Sequence, residues 1–205
     1  LIEVRFGVTE SEPPLLGARG DFDGDGVEDF WLAFTNRSMA GGGRGELNLI
    51  NGRVLGRMLL EGKQEITLDD IVSIKVVGSD KYGTKNNGIG YDLSRNAGDI
   101  DGDGAPDLVT VSHYQMNNRG VVYILLSQEM MKRSKHKADA PYMIRVLGKA
   151  LSYIGTGLDA EMDYDGDGMA DIVVGADVDH EAGFGAGAVY YLSGGKIVAR
   201  HHLMQ

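Results

Sequence analysis

The 205-residue chain has no cysteine. It can build neither a disulfide framework nor a thiolate metal site, and its compartment is left open on that count. Proline is scarce, at four residues. No apolar run is long enough to span a bilayer as a helix, so membrane insertion is not expected. No signal segment stands at the start, and the sequence begins at Leu1; it reads as a processed protein or an excerpt of a longer one. Signatures of catalysis are missing too. There is no Gly-x-Ser-x-Gly elbow, no His-Glu-x-x-His helix and no phosphate-binding glycine loop, so an enzyme is not expected. Positive charge is in short supply: the net charge is −10, which makes nucleic acid a poor partner. The only basic cluster, Lys132-Arg133-Ser134-Lys135-His136-Lys137, reads as a solvated loop or short helix.

What the chain has in excess is glycine, 31 residues, without the period of a collagen. With 42% apolar and 24% charged residues this is the composition of a globular protein large enough to bury a real core. Glycine-rich turns between short β-branched and aromatic runs point to many short strands. Tyr123, Tyr190, Tyr191 and Trp31 fall in such runs and are expected in the core.

The acidity is concentrated. The pattern Asp-x-Asp-Gly-Asp-Gly-x-x-Asp occurs three times, at 21–29, 99–107 and 163–171. A hard dication such as calcium takes six to eight oxygens at about 2.3–2.6 Å. Carboxylates at positions one, three, five and nine, with the carbonyl of position seven, can supply such a shell. The candidate ligands are Asp21, Asp23, Asp25, Val27 and Asp29; Asp99, Asp101, Asp103, Ala105 and Asp107; and Asp163, Asp165, Asp167, Met169 and Asp171. The glycines let the chain coil around the ion at positive φ. Three bound dications would bring the net charge to about −4. An EF-hand needs a glutamate at position twelve and flanking helices; here that position is Leu32, Thr110 and Val174, each within an expected strand. Magnesium prefers a rigid octahedral site with retained waters, so calcium fits the flexible loop better. Arg19-Gly20-Asp21 spells an integrin-recognition tripeptide, but Asp21 is the first ladder position and should face the metal.

The ladders head a longer repeat. After each comes an apolar strand: Phe30 to Phe34, Leu108 to Val111, Ile172 to Gly175. A polar loop follows, then a strand opened by glycine: Gly45 to Ile50, Gly120 to Leu125, Gly187 to Leu192. A further strand ends the first two units, at Ile74 to Gly78 and Ile144 to Gly148; its like stands at the other end of the chain, at Ile2 to Gly7. The frame is a strand at 1–7, repeats at 8–78, 79–148 and 149–205, and a circular permutation by one strand. Four antiparallel strands per unit, with the acidic loop joining the first to the second, is the plan of a β-propeller blade.

On the ladders, on Ile172-Val173-Val174-Gly175-Ala176 and on Gly187-Ala188-Val189-Tyr190, the chain resembles the FG-GAP repeat family, the calcium-binding blades of integrin α-subunit propellers and of many bacterial surface proteins. Phe6-Gly7 keeps one Phe-Gly pair, whereas Gly175-Ala176 is followed by Asp177 in place of proline. The resemblance implies an all-β fold of propeller-type blades with three Ca2+ sites, located outside the cell or on its surface. Propellers usually have four to eight blades, so three repeats predict a partial propeller, or one subunit of a multi-chain propeller or fibre in which the N-terminal strand completes the last sheet.

The function these readings predict is a non-catalytic adhesion or assembly module that self-associates. Two alternatives stand beside it: a lectin-like module for carbohydrate or protein ligands, and an accessory domain of a larger secreted enzyme. Asn36-Arg37-Ser38 is a glycosylation sequon in an expected surface loop. His201-His202 reads as a strand or exposed end.

Overall fold

A computed structural model describes residues 3–5, 14–35, 43–79, 88–94 and 98–202. The sequon at 36–38 and the Phe6-Gly7 pair lie outside them. Three antiparallel meanders carry the fold. The first joins β2 (Leu15–Gly20), β3 (Asp29–Phe34), β4 (Glu46–Ile50) and β6 (Val72–Val77). The second joins β7 (Asp92–Leu93), β8 (Leu108–Ser112), β9 (Val121–Leu125) and β11 (Ile144–Leu147). The third has β12 (Ile154–Asp159), β13 (Ile172–Ala176) and β14 (Ala188–Leu192). In each, an acidic loop connects the first strand to the second.

The architecture is mostly β with several antiparallel sheets, and it departs from an all-β, four-stranded plan in three ways. Helices are present: α1 (Gly52–Leu60) and α5 (Gly194–His202) have nine residues each, α2 (Leu68–Ile71) and α4 (Ser127–Met130) are short, and α3 (Gln115–Asn118) is a single turn whose Met116, Asn117 and Asn118 have left-handed backbone. Turn chemistry starts two of them. Asn51 caps α1 by accepting from Val54 N–H at 2.8 Å, and Thr67 with Asp70 forms a capping box on α2. His201-His202 therefore ends a helix rather than a strand. Second, the first sheet has a fifth strand, β10 (Lys135–Lys137), parallel to β6. The basic cluster is thus partly a strand, with His136 buried and holding Tyr142 Oη through Nδ1 at 2.8 Å. Third, the third sheet has three strands, and the N-terminal strand does not complete it. Instead β1 (Glu3–Arg5) pairs in parallel with β5 (Glu65–Thr67). No sheet closes on itself among the described residues.

Side chains alternate between the faces of a strand, and this alternation decides which sheet touches which. From the first sheet, Trp31, Ala33, Leu47 and Leu49 form one cluster with Leu108, Tyr123 and Leu125 of the second. The opposite face of the second sheet, Val109, Val111, Val122 and Ile124, packs on Ile172, Val174 and Ala176 of the third. The remaining face of the first sheet, Leu32, Phe34 and Ile50, is covered by Met58 of α1, Ile66 of β5 and Leu68 and Ile71 of α2. Trp31 and Tyr123 are core residues as expected, but Tyr191 is not: it is 47% exposed.

Leu47, Val122 and Val189 hold the same repeat position, yet the first two are fully buried and Val189 is 73% exposed. We expect Leu47→Ala to cost about 2–5 kcal/mol, whereas Val189→Ala in dilute protein should cost less than about 0.5 kcal/mol. Urea denaturation of both variants checks the contrast.

Candidate metal centre

Each acidic loop is folded by its own aspartates. The position-one carboxylate accepts from the position-six amide: Gly26 N to Asp21 Oδ2 at 2.8 Å, Gly104 N to Asp99 Oδ2 at 2.8 Å and Gly168 N to Asp163 Oδ2 at 2.9 Å. These bonds wrap the chain around the first aspartate, which requires left-handed backbone at the fourth and sixth positions. Gly24, Gly26, Gly102, Gly104, Gly166 and Gly168 all have φ between 75° and 90°, a conformation open to glycine at no steric cost.

The position-nine aspartate is the most deeply set. Asp29, Asp107 and Asp171 are at most 1% exposed. One oxygen of each accepts from the position-two amide, of Phe22, Ile100 and Tyr164, at 3.2, 2.9 and 2.8 Å. The other accepts from the first residue of a following helix: Gly52 N at 2.9 Å, Ser127 N at 2.8 Å and Gly194 N at 3.1 Å. Both helix-end glycines sit where no side chain fits. A Cβ on Gly52 would lie 1.9 Å from Glu28 O, and one on Gly194 2.1 Å from Ala170 O. Gly52, Ser127 and Gly194 were not legible as part of the site. Their only signal is a recurrent offset of 20 to 23 residues from the position-nine aspartate.

Three carboxylates converge in each copy. Ligand oxygens of Asp21, Asp23 and Asp29, of Asp99, Asp101 and Asp107, and of Asp163, Asp165 and Asp171 lie within 4.8 Å of one another. Each cluster could hold a metal ion, and an all-oxygen donor set suits a hard cation. Asp21 Oδ1 is buried without a hydrogen-bond partner, as an oxygen reserved for a ligand would be. The fifth-position aspartates Asp25, Asp103 and Asp167, also expected as ligands, stand outside these three-carboxylate groups. Their carboxylates turn back on the loop and accept from the amides of Val27, Ala105 and Met169 at 2.9, 2.7 and 3.0 Å. Those same three residues were expected to offer their carbonyls.

Neighbouring cations distinguish the copies. Arg53 Nε donates to Asp25 Oδ2 at 2.7 Å in the first, and Lys196 Nζ to Asp165 Oδ2 at 3.1 Å in the third. Hydrogen bonds from these cations hold Asp25 and Asp165 below the usual carboxylate range. In the second copy Gln128 and Glu129 stand at the corresponding helix positions. Asn51 Nδ2 adds a bond to Asp23 Oδ2 at 2.7 Å, so the cap of α1 is also a wall of the first loop.

Burial raises the buried carboxyls. Desolvation, aided by repulsion from Asp101 and Asp103, pushes Asp107 up to about 7, against backbone bonds from Ser127 and Ile100 that lower it. Asp29 is pushed up to about 6, again chiefly by desolvation. A carboxyl whose folded pKa is raised contributes stability that is complete below its ordinary 3.8 and is lost as pH rises through about 7. In chelator, the melting temperature should therefore fall between about pH 4 and about pH 7. Asp107→Asn should flatten that slope, which thermal melts at several pH values would measure.

No protein-family model matches the chain, and no curated protein matches it. The reading of the site rests on geometry repeated three times within one molecule.

Proposed function

We propose that the chain is a non-catalytic, calcium-stabilised repeat module of FG-GAP type, with its meanders acting as propeller-like blades in extracellular adhesion or assembly. The observation that carries this reading is the triple recurrence of one acidic loop, with the carboxylates at positions one, three and nine drawn within 4.8 Å of each other. Three copies of one coordination-ready turn serve a common structural purpose more readily than three separate reactions. Each loop joins two strands and reaches the next helix, so a cation there would staple the sheet at its turn and offset the repulsion of four carboxylates in nine residues. Calcium is the favoured ion because the donors are all oxygen and the backbone is glycine-rich.

One observation favours ligand binding as a second role. Tyr91 and Tyr114, 42% and 38% exposed, group with His113 and Tyr153; Tyr91 stacks on His113 with ring centroids 5.0 Å apart. Exposed aromatic faces of this kind suit sugar rings. A glycan array, read against Tyr91→Ala and Tyr114→Ala, tests the lectin-like alternative.

For the main reading, calcium should raise the melting temperature and chelator should lower it. A site filled at a hundred times its dissociation constant adds about 2.7 kcal/mol. Titration calorimetry should resolve three sites, with Asp99→Asn and Asp101→Asn each weakening the second about tenfold or more and Asp103→Asn weakening it less. Arg53→Gln should tighten the first site by removing a competing cation. A melting curve unchanged by excess chelator would overturn the proposal.

A further inference from the structure

The third sheet lacks two things that the first two have among the described residues, a fourth strand and a covered forward face, and a strand of the missing kind stands at the other end of the molecule. Its outer strand β14 has no fourth strand beside it among the described residues. In the first sheet β4 is followed by β6, with Leu47 opposite Val76; in the second β9 is followed by β11, with Val122 opposite Val146. Val189 of β14 holds the position of Leu47 and Val122.

The register of β1 identifies it as a strand of this missing kind. β10 runs parallel to β6 with Lys135, His136 and Lys137 opposite Lys75, Val76 and Val77. β5 runs parallel to β1 with Glu65, Ile66 and Thr67 opposite Glu3, Val4 and Arg5. β5 and β10 occupy equivalent places in their repeats, each between the third and fourth strands. Val4 is therefore the counterpart of Val76. β1 already uses the edge that β6 gives to β10, and its other edge matches the one that β6 gives to β4.

The faces repeat the lesson. The face that each sheet turns to the next carries the position-two residue of its loop and alternate residues of its second and third strands. Phe22, Trp31 and Leu49 in the first sheet, and Ile100, Val109 and Ile124 in the second, are at most 3% exposed. Their counterparts in the third are Tyr164, Val173 and Tyr191. Tyr164 is 56% and Tyr191 47% exposed, and Val173 is half-buried. Among the described residues nothing covers this face or pairs with the outer edge of β14, and unpaired edges of this kind are templates for pairing.

We infer that the occupant is a second copy of this chain, joined head to tail: β1 of one molecule pairs antiparallel with β14 of the next, Val4 opposite Val189, so that the end of one molecule formed by β1, β5 and the α1–α2 cover of its first sheet meets the third sheet of the other. This deepens the assembly role proposed above and rests on it. Repetition of such a heterologous joint gives a ring if the rotation closes and a filament if it does not.

The absence of cysteine makes the joint directly testable in the full 205-residue chain. Val4→Cys and Val189→Cys, prepared separately and mixed under oxidation in calcium, should give a disulfide-linked heterodimer as the main product, since directly opposed residues lie within bridging distance. Arg5→Cys mixed with Val189→Cys should give several-fold less, because adjacent strand residues face opposite sides. Sedimentation of the unmodified chain should show mass rising with concentration, and Val189→Lys should hold it at the monomer. A wild type that is monomeric at every concentration would overturn the inference, as would equal cross-linking of both pairs. A Val4→Cys/Val189→Cys chain that seals a bridge within itself would equally overturn it, in favour of closure in cis. Failure here with an intact calcium-dependent melt would remove the joint and leave the calcium reading standing.

Discussion

Everything in the arrangement of these sheets depends on how a buried aspartate at the end of each acidic loop satisfies its two oxygens. Asp29, Asp107 and Asp171 each hold the loop with one oxygen and the start of the following helix with the other. A carboxylate taken out of water is costly unless hydrogen bonds or a cation replace its hydration. The backbone supplies two bonds each to Asp29 and Asp107, three to Asp171, and no counter-charge. The remaining imbalance is visible as the raised pKa of Asp107, and a dication among the converging carboxylates would remove it. The same residue is thus a bracket of the fold and a wall of the metal site.

Because that bracket recurs, so does the geometry around it. The loops lie at one end of the sheets and touch: Ala170 N–H donates to Asp99 O at 2.7 Å, and Gly20 lies so close to Pro106 that a Cβ would approach its Cγ to 2.9 Å. Each meander then presents one face backward and one forward, and the core is built at these interfaces rather than within any sheet. A repeat of this kind is stabilised by its neighbours. Among the described residues the third sheet has a neighbour on one side only, and its forward face carries the exposed Val189 and Tyr191.

Much of this was legible in the sequence, for reasons tied to particular residues. The strands after each loop were plain because β-branched and aromatic runs such as Leu108 to Ser112 are bounded by turn residues. The convergence of positions one, three and nine followed from spacing alone, since a nine-residue turn pinned by left-handed glycines has few ways to point its carboxylates. The fifth position is shaped by a local bond. An aspartate two residues before an amide has a local partner, and Asp25, Asp103 and Asp167 take it. Local hydrogen bonding of this kind competes with any longer-range role for a short polar side chain. The helices were missed because α1 is set by its Asn51 cap and both α1 and α5 by tertiary contacts at Gly52 and Gly194, not by a long apolar period.

The sequence by itself determined the repeat, the acidic turns and the strand pairs that flank them, since each depends on residues close together in the chain. Only the tertiary structure decided where the N-terminal strand goes, which residues close each turn from outside, and which sheet is left with a bare face. Those outcomes depend on contacts between segments far apart, such as Val4 beside Ile66 and Gly52 against Asp29. Glu3 to Arg5 carries the pattern of a fourth strand, but a pattern names a kind of strand and not its partner. The partner is chosen by which edges and faces the packed sheets leave open.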